Sequence, residues 1–292
     1  MIERCIAFYA VADVVKDKEF KLRAKDYSIA NACRGKVSLG SFCCGPWIPL
    51  ITGGAGFVNV AEDNKLGLSG KRIHDCRLGI RHQDHVGFIE PNGVEAEFIE
   101  PVLQRAGAPL VLVGHSYGAA VALIAALRQP ARVKALVLYE PTLFSLVDAE
   151  SPPPNAADGI RQAVAAAAAA LGRGDANGAA EHFIDYWMGA GSWAGMPASR
   201  QAPIAASVRN VRRWAHALTT EPAPLAAWRA LDMPVLYMLG GRSTASAHGV
   251  ARLLAPALPH ATQHRFEALG HMGPVTDPEP VNRAIEDFIA RL

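Results

Sequence analysis

A strand, a tight glycine turn and a helix follow one another without interruption near the middle of the chain. Residues 109–113 form a continuous apolar run, which is typical of a strand buried on both faces of a parallel sheet. Gly114-His-Ser-Tyr-Gly118 follows this run, and an alanine-rich helical segment then spans residues 119–128. A second apolar run, residues 133–139, predicts another buried strand. Strand, helix and strand in this order predict a right-handed crossover between parallel strands.

The C-terminal part of the chain repeats this alternation. Residues 234–239 and 262–266 predict strands, and residues 247–257 and 280–292 predict helices. Between residues 141 and 229 no strand pattern occurs, and the segment instead contains an alanine run and aromatic helical stretches. We therefore expect an α/β fold with a mostly parallel, doubly wound sheet and an inserted helical cap.

The N-terminal region differs in composition from the rest of the chain. Seven of the eight lysines and all five cysteines lie before residue 77. We predict three segments: residues 1–141 as the first part of the core, 142–229 as the helical cap and 230–292 as the second part of the core. In this scheme the first ~90 residues are divergent. A further interpretation is that the chain is damaged and that its sheet is incomplete.

Charge and cysteine content exclude several classes of partner and cofactor. The net charge of +2 over 292 residues is too small for a nucleic-acid partner. An odd number of cysteines without a Cys-x-x-Cys pair indicates free thiols and predicts a cytoplasmic location. We expect no membrane partner and, because no nucleotide-binding glycine pattern occurs, no organic cofactor. The predicted partner is a small-molecule substrate, and the oligomeric state stays open.

The glycine turn carries the main chemical signal. Gly114 and Gly118 flank Ser116 at the point where a predicted strand gives way to a predicted helix. Residues 111–118 resemble the nucleophile elbow of the α/β-hydrolase superfamily, and the resemblance extends over roughly the last two hundred residues. It implies the α/β-hydrolase fold, Ser116 as the nucleophile and the backbone N–H of Tyr117 as an oxyanion donor.

The same resemblance implies a base and an acid. The superfamily places its histidine after the last strand, which corresponds to His271. Its usual acid follows the strand after the cap, but Ser243 occupies that place. Glu140 lies directly after the strand that follows the nucleophile helix, a position that resembles the acid in a branch of haloalkane dehalogenases. We therefore predict Ser116, Glu140 and His271 as the catalytic residues, and His115 as a packing residue.

The remaining site residues are predicted from weaker signals. Residues 37–42 resemble a His-Gly-x-Phe loop with Leu39 in place of His, which suggests the Ser41 N–H as the second oxyanion donor. Residues 51–56 compete for the same role. Aromatic and sulfur-containing side chains are expected to line an apolar substrate pocket. The predicted substrate-binding residues are Phe42, Tyr186, Trp187, Trp193 and Met272.

These residues predict a serine hydrolase that acts on a carboxylic ester with an apolar group through an acyl-enzyme on Ser116. Carbon–carbon cleavage of a diketone-like compound and perhydrolysis are variants that the resemblance permits. A non-catalytic ligand-binding or signalling protein on the same fold is the alternative, and a Glu140–His271 separation beyond hydrogen-bond reach would favour it. A metal site at residues 82–85 is disfavoured because the upstream histidines of such a motif are missing.

Overall fold

A seven-stranded sheet forms the centre of the described chain. The computed structural model describes residues 4–10, 50–52, 56–62, 100, 103–104 and 108–292. In chain order the strands are β1 (Arg4–Ala10), β2 (Leu50–Thr52), β3 (Gly56–Glu62), β4 (Leu110–His115), β5 (Val133–Tyr139), β6 (Val235–Gly240) and β7 (Ala261–Phe266).

Helices occupy most of the remaining described residues. Short 3₁₀ segments lie at Pro130–Arg132, Val208–Asn210 and Leu225–Ala230. The α-helices are α1 (Tyr117–Arg128), α2 (Ser145–Glu150), α3 (Asp158–Gly172), α4 (Ala176–Met188), α5 (Ala198–Ser207), α6 (Val211–Thr220), α7 (Ala245–Ala257), α8 (Gly273–Thr276) and α9 (Pro278–Ile289).

The sheet is parallel except at one edge. Its spatial order is β2-β3-β1-β4-β5-β6-β7, and β1, β4, β5, β6 and β7 run parallel. β3 pairs antiparallel with both β1 and β2. The mostly parallel α/β sheet predicted from the sequence is confirmed, whereas the periodicity of the divergent N-terminal region does not predict β1, β2 or β3.

Alternate residues of the central strands enter two separate cores. In β4, Leu110 and Leu112 pack in a cluster that includes α1 and α7. Val111 and Val113 pack on the opposite face, in a cluster that includes α9. All four side chains are buried, because helices cover both faces of the sheet. This burial explains why the strand reads as a continuous apolar run rather than as alternation.

Helices α2 to α6 lie between β5 and β6, and we call residues 141–234 the helical insertion. The alanine run packs here: Ala167 and Ala170 of α3 meet Ala179 and Ala180 of α4, and none of the four is exposed. Small side chains allow these two helices to approach closely. The insertion lies where the sequence predicts the cap, and the three domain boundaries stay predictions.

None of the helices in the described ranges combines the length and the apolar character that crossing a bilayer requires.

Candidate active site

Ser116 occupies a strained turn between β4 and α1. Its φ is 56° and its ψ is −124°, in the region that side-chain-bearing residues rarely adopt. The Ser116 N–H donates to the carbonyl of Tyr139 at 2.9 Å, which holds the turn against β5. Gly114 is required for the close approach of strand and helix, since a Cβ there would lie 2.5 Å from the Cα of Ala119. The turn thus presents the Ser116 hydroxyl at the carboxyl end of the sheet.

His271 lies in the loop between β7 and α8 and faces Ser116. Its Nε2 is 2.9 Å from the Ser116 Oγ, and only 2% of the residue is exposed. Its Nδ1 is 2.7 Å from the Oε2 of Glu140. Because a carboxylate accepts hydrogen bonds, Nδ1 carries the proton, and Nε2 is left to accept from the serine hydroxyl. In this tautomer the imidazole can take the Ser116 proton.

Glu140 follows β5 and is completely buried. Its backbone φ of 49° is also in the left-handed region. One carboxylate oxygen bonds to His271, while the other, Oε1, accepts from the Gly240 N–H at 2.7 Å and from the Ser243 hydroxyl. Ser243, which stands where the resemblance leads one to expect an Asp, therefore donates to the carboxylate of Glu140. Three donors compensate the burial of this charge.

Two further side chains hold the His271 loop by its backbone. The His115 Nε2–H donates to the carbonyl of His271 at 2.8 Å, and the Tyr139 hydroxyl donates to the carbonyl of Gly270 at 2.8 Å. Burial, and secondly the charge of His271, lowers the pKa of His115 to about 3. Burial, with a smaller effect of Glu140, raises the pKa of Tyr139 above its usual range. His115 is thus neutral and Tyr139 is protonated, so both act as fixed donors.

An apolar cavity of about 100 Å³ opens onto Ser116 and His271. Its wall contains no Asp, Glu, Lys or Arg among the described residues. The wall is formed by helix α1, the residues after β5, helices α3, α4 and α6 of the helical insertion, and the residue that follows His271. The side chains other than Ser116 and His271 are Tyr117, Thr142, Phe144, Ile160, Val164, Phe183, Ile184, Trp187, Met188, Val211, Trp214, Ala215, Leu218 and Met272.

The predicted substrate-binding residues divide into three groups. Trp187 and Met272 line the cavity. Tyr186 and Trp193 are not part of its wall: the Tyr186 hydroxyl is 2.7 Å from the Ser246 hydroxyl, and Trp193 is buried among the helices of the insertion. Tyr186 and Trp187 are adjacent in helix α4, and successive residues of a helix point in different directions, so of the two only the Trp187 side chain faces the cavity. Phe42 lies outside the described residues.

The predicted oxyanion donors can be located only in part. Tyr117 is the first residue of α1, which places its backbone N–H at a helix N-terminus directly after Ser116. Its side chain also contributes to the cavity wall. Ser41 and the metal alternative at residues 82–85 lie outside the described residues.

Comparison with known families agrees with this fold. The sequence profile of the Alpha/beta hydrolase family matches residues 77–284, which is more than half of the chain. This chain belongs to the alpha/beta hydrolase family. Among curated protein sequences, none matches it.

Solved structures of other hydrolases share the architecture. One from Sphaerobacter thermophilus is 22% identical with a TM-score of 0.53, over 80% of this chain and 82% of that chain. An esterase from a Rhodococcus species is 22% identical with a TM-score of 0.53, over 67% and 70%. An alpha/beta hydrolase from a Medee basin deep-sea metagenome library is 17% identical with a TM-score of 0.56, over 70% and 74%. At these identities the likeness shows the fold alone.

In this alpha/beta hydrolase, two supporting residues escaped the sequence analysis. His115 was interpreted as packing, and its ring does lie edge-on to Tyr139 at 5.6 Å, but it also binds the backbone of His271. Ser243 was interpreted only as the absence of an acid, whereas it donates to Glu140. For His115, the one available signal in the sequence is its position next to Ser116. For Ser243 the sequence offers no signal.

Proposed function

We propose that this alpha/beta hydrolase is a serine esterase that cleaves an uncharged carboxylic ester with an apolar group. The observation that carries the proposal is the hydrogen-bonded chain from Ser116 through His271 to Glu140, with distances of 2.9 Å and 2.7 Å, at one end of an apolar cavity. A non-catalytic binder has no need for this arrangement of hydroxyl, imidazole and carboxylate.

In the proposed mechanism, His271 Nε2 takes the proton of Ser116 as the Oγ attacks the ester carbonyl carbon. The carbonyl oxygen becomes an oxyanion, which the Tyr117 N–H stabilises at the helix N-terminus, with the Ser41 N–H as the second donor. Collapse of the tetrahedral intermediate breaks the bond to the alkoxy oxygen. The proton on Nε2 passes to that oxygen, so an alcohol leaves and the acyl group stays on Ser116.

The second half of the cycle repeats these steps with water. His271 takes a proton from the water molecule as its oxygen attacks the acyl carbon, and the carboxylic acid leaves as the proton returns to Ser116. Glu140 stabilises the imidazolium in both halves, since its buried carboxylate lies 2.7 Å from Nδ1. The helical insertion then acts as a cap that excludes bulk water from the acyl-enzyme.

The wall of the cavity supports the choice of substrate. Its described side chains are mainly apolar and none carries a formal charge other than His271 when protonated, so a charged group there would lose hydration without gaining a partner. A volume of about 100 Å³ holds several water molecules, which a short apolar chain or a small ring would displace.

The test is covalent labelling with a fluorophosphonate, followed by intact mass, because it detects an activated serine without a known substrate. We expect rapid single labelling of the wild type, no labelling of Ser116→Ala and very slow labelling of His271→Ala. Ser151→Ala, at an exposed serine, is the matched control and should label like the wild type. A series of nitrophenyl esters from acetate to laurate then tests the acyl preference. A folded wild type that takes up no label would overturn the proposal.

A further inference from the structure

Trp187, in helix α4 of the insertion, lies flat against His271. The two ring centroids are 3.9 Å apart and the planes are inclined by 25°. This is the closest of the ring pairs among the described residues. Trp187 is 9% exposed, so the contact is shielded from solvent. Contact with the substrate would explain why Trp187 lines the cavity, but it would not require Trp187 to stack on the ring of His271.

The stack completes the immobilisation of the imidazole. Within the ring plane, Nδ1 is bound by Glu140 and Nε2 by Ser116. Out of the plane, the indole covers one face, and the tilted ring of His115 lies 5.0 Å away. Rotation of the imidazole about its Cβ–Cγ bond would therefore have to displace the Trp187 ring, which a close-packed interior resists.

The position of Trp187 is itself held from both the core and the insertion. The neighbouring residue, Tyr186, hydrogen-bonds through its hydroxyl to Ser246 of helix α7 in the core. Within the insertion, the indole meets the ring of Phe183 edge-on at 6.3 Å. It also stacks at 6.5 Å on Phe144, which follows β5. The C-terminal turn of α4 is thus anchored beside the site, and Trp187 is not free to swing away alone.

The electrostatics of the contact favour the protonated base. The π face of an indole attracts a cation, and the attraction is strongest where water is excluded. The charged or titratable groups around the imidazole include Glu140 on its Nδ1 side, His115 from β4 and Tyr139 from β5. Glu140 supplies the negative charge, while Tyr139 and His115 are neutral donors to the backbone of the loop. Trp187 adds a second stabilising contribution, directed at the face rather than the edge of the ring.

We propose that Trp187 is a positioning residue, which keeps His271 aimed at Ser116 and stabilises the imidazolium formed when the serine loses its proton. The inference rests on the proposed function for its catalytic consequence. It also couples the helical insertion to the chemistry, because the base is fully poised only when α4 is seated on the core. Trp187 then serves the base as well as the cavity wall.

The experiment compares Trp187→Leu, which removes the π system but stays apolar, with Trp187→Phe, which keeps an aromatic face. Trp193→Leu is the matched control, because Trp193 is a buried tryptophan of the insertion outside the cavity wall. The pH dependence of fluorophosphonate labelling gives a maximal rate and the apparent pKa of the base. We expect a rate loss of about ten- to thirtyfold in the Leu variant and a fall of its apparent pKa by about one unit.

The Phe variant should recover most of both losses, and Trp193→Leu should label at the wild-type rate. Equal rates for the Leu and Phe variants, or an apparent pKa that is unchanged or raised in the Leu variant, would overturn the inference. NMR titration of the His271 imidazole in the Ser116→Ala background separates the two proposals. A wild type that takes up no label contradicts the proposed esterase, but the same fall in the His271 pKa on Trp187→Leu still supports the stack.

Discussion

Replacing Glu140 by Gln tests the site at the group that departs from the commonest pattern of the superfamily. The carboxylate receives hydrogen bonds on both oxygens: from His271 Nδ1 on one, and from the Gly240 N–H and the Ser243 hydroxyl on the other. Gln offers one oxygen and one NH₂ group in nearly the same volume. Gln therefore cannot accept hydrogen bonds on both sides. Its NH₂ group must face either the Nδ1–H of His271 or the Gly240 N–H, and each of these groups is itself a donor.

We expect the NH₂ group of the Gln side chain to face His271. The backbone N–H of Gly240 can only donate, whereas the imidazole can change its tautomer and accept at Nδ1. With the amide oxygen on Gly240, the NH₂ group donates to Nδ1 of His271, and the ring proton moves to Nε2. Nε2 can then no longer accept the Ser116 proton. In a serine hydrolase site such a change slows catalysis by about 10⁴-fold, or about 5.5 kcal/mol of transition-state stabilisation. In the opposite amide orientation, two facing donors destabilise the fold by about 1–3 kcal/mol.

The assay is the rate of fluorophosphonate labelling, with urea unfolding as the measure of stability. Glu279→Gln is the control, since Glu279 has a 55% exposed side chain and pairs with Arg283 at 3.3 Å on the surface. It should match the wild type in both measurements. If Glu140→Gln labels within about tenfold of the wild type while remaining folded, the carboxylate does not orient the base and the reasoning fails.

Three other perturbations have distinct expected results. Gly114→Ala places a Cβ 2.5 Å from the Cα of Ala119, so urea unfolding should show a loss of about 1–3 kcal/mol, and an unchanged midpoint would refute the crowding. Burial lowers the pKa of His115 to about 3 from 6.5, so the unfolded chain binds a proton that the folded chain rejects between these values. Stability should therefore fall by up to roughly 1.4 kcal/mol per unit as the pH decreases through this window, and His115→Gln should flatten that slope in urea titrations. Gly273→Ala places a Cβ 2.5 Å from the hydroxyl of Tyr139, which should displace His271 and slow fluorophosphonate labelling about tenfold without unfolding the protein. A wild-type labelling rate in this variant would show that the Tyr139 hydroxyl does not help to position His271.

Much of the fold was predictable because its signals are local. Apolar runs predict β4, β5 and β6, and the alternation of strands and helices predicts β7, each to within one or two residues of its observed bounds. The three N-terminal strands were not predictable in the same way, because two of them pair antiparallel at the edge and the third joins β4 from about a hundred residues away.

The site residues also divide into those that a local sequence pattern predicts and those that depend on tertiary contacts. The spacing of Gly114 and Gly118 predicts Ser116, and the position after the last strand predicts His271. Both predictions depend on a short motif next to a recognisable strand or helix. Glu140 is predicted from its place at the end of β5, which resembles that of the acid in a branch of haloalkane dehalogenases. No local pattern shows which carboxylate a distant imidazole will contact. His115, Ser243 and the stack of Trp187 on His271 depend on contacts between residues 84 to 156 positions apart in the chain.

The sequence by itself determined the order of strands and helices, the turn that exposes a serine and the presence of an apolar helical insertion. Those features follow from hydrophobic periodicity and from the backbone freedom of glycine, which act over a few residues. Only the tertiary structure decided that Glu140 bonds to His271, that Trp187 rather than Tyr186 or Trp193 reaches the site, and that an uncharged cavity opens onto Ser116. The parallel sheet is the physical reason, since it brings the ends of strands far apart in the chain to one edge, where packing alone selects the partners.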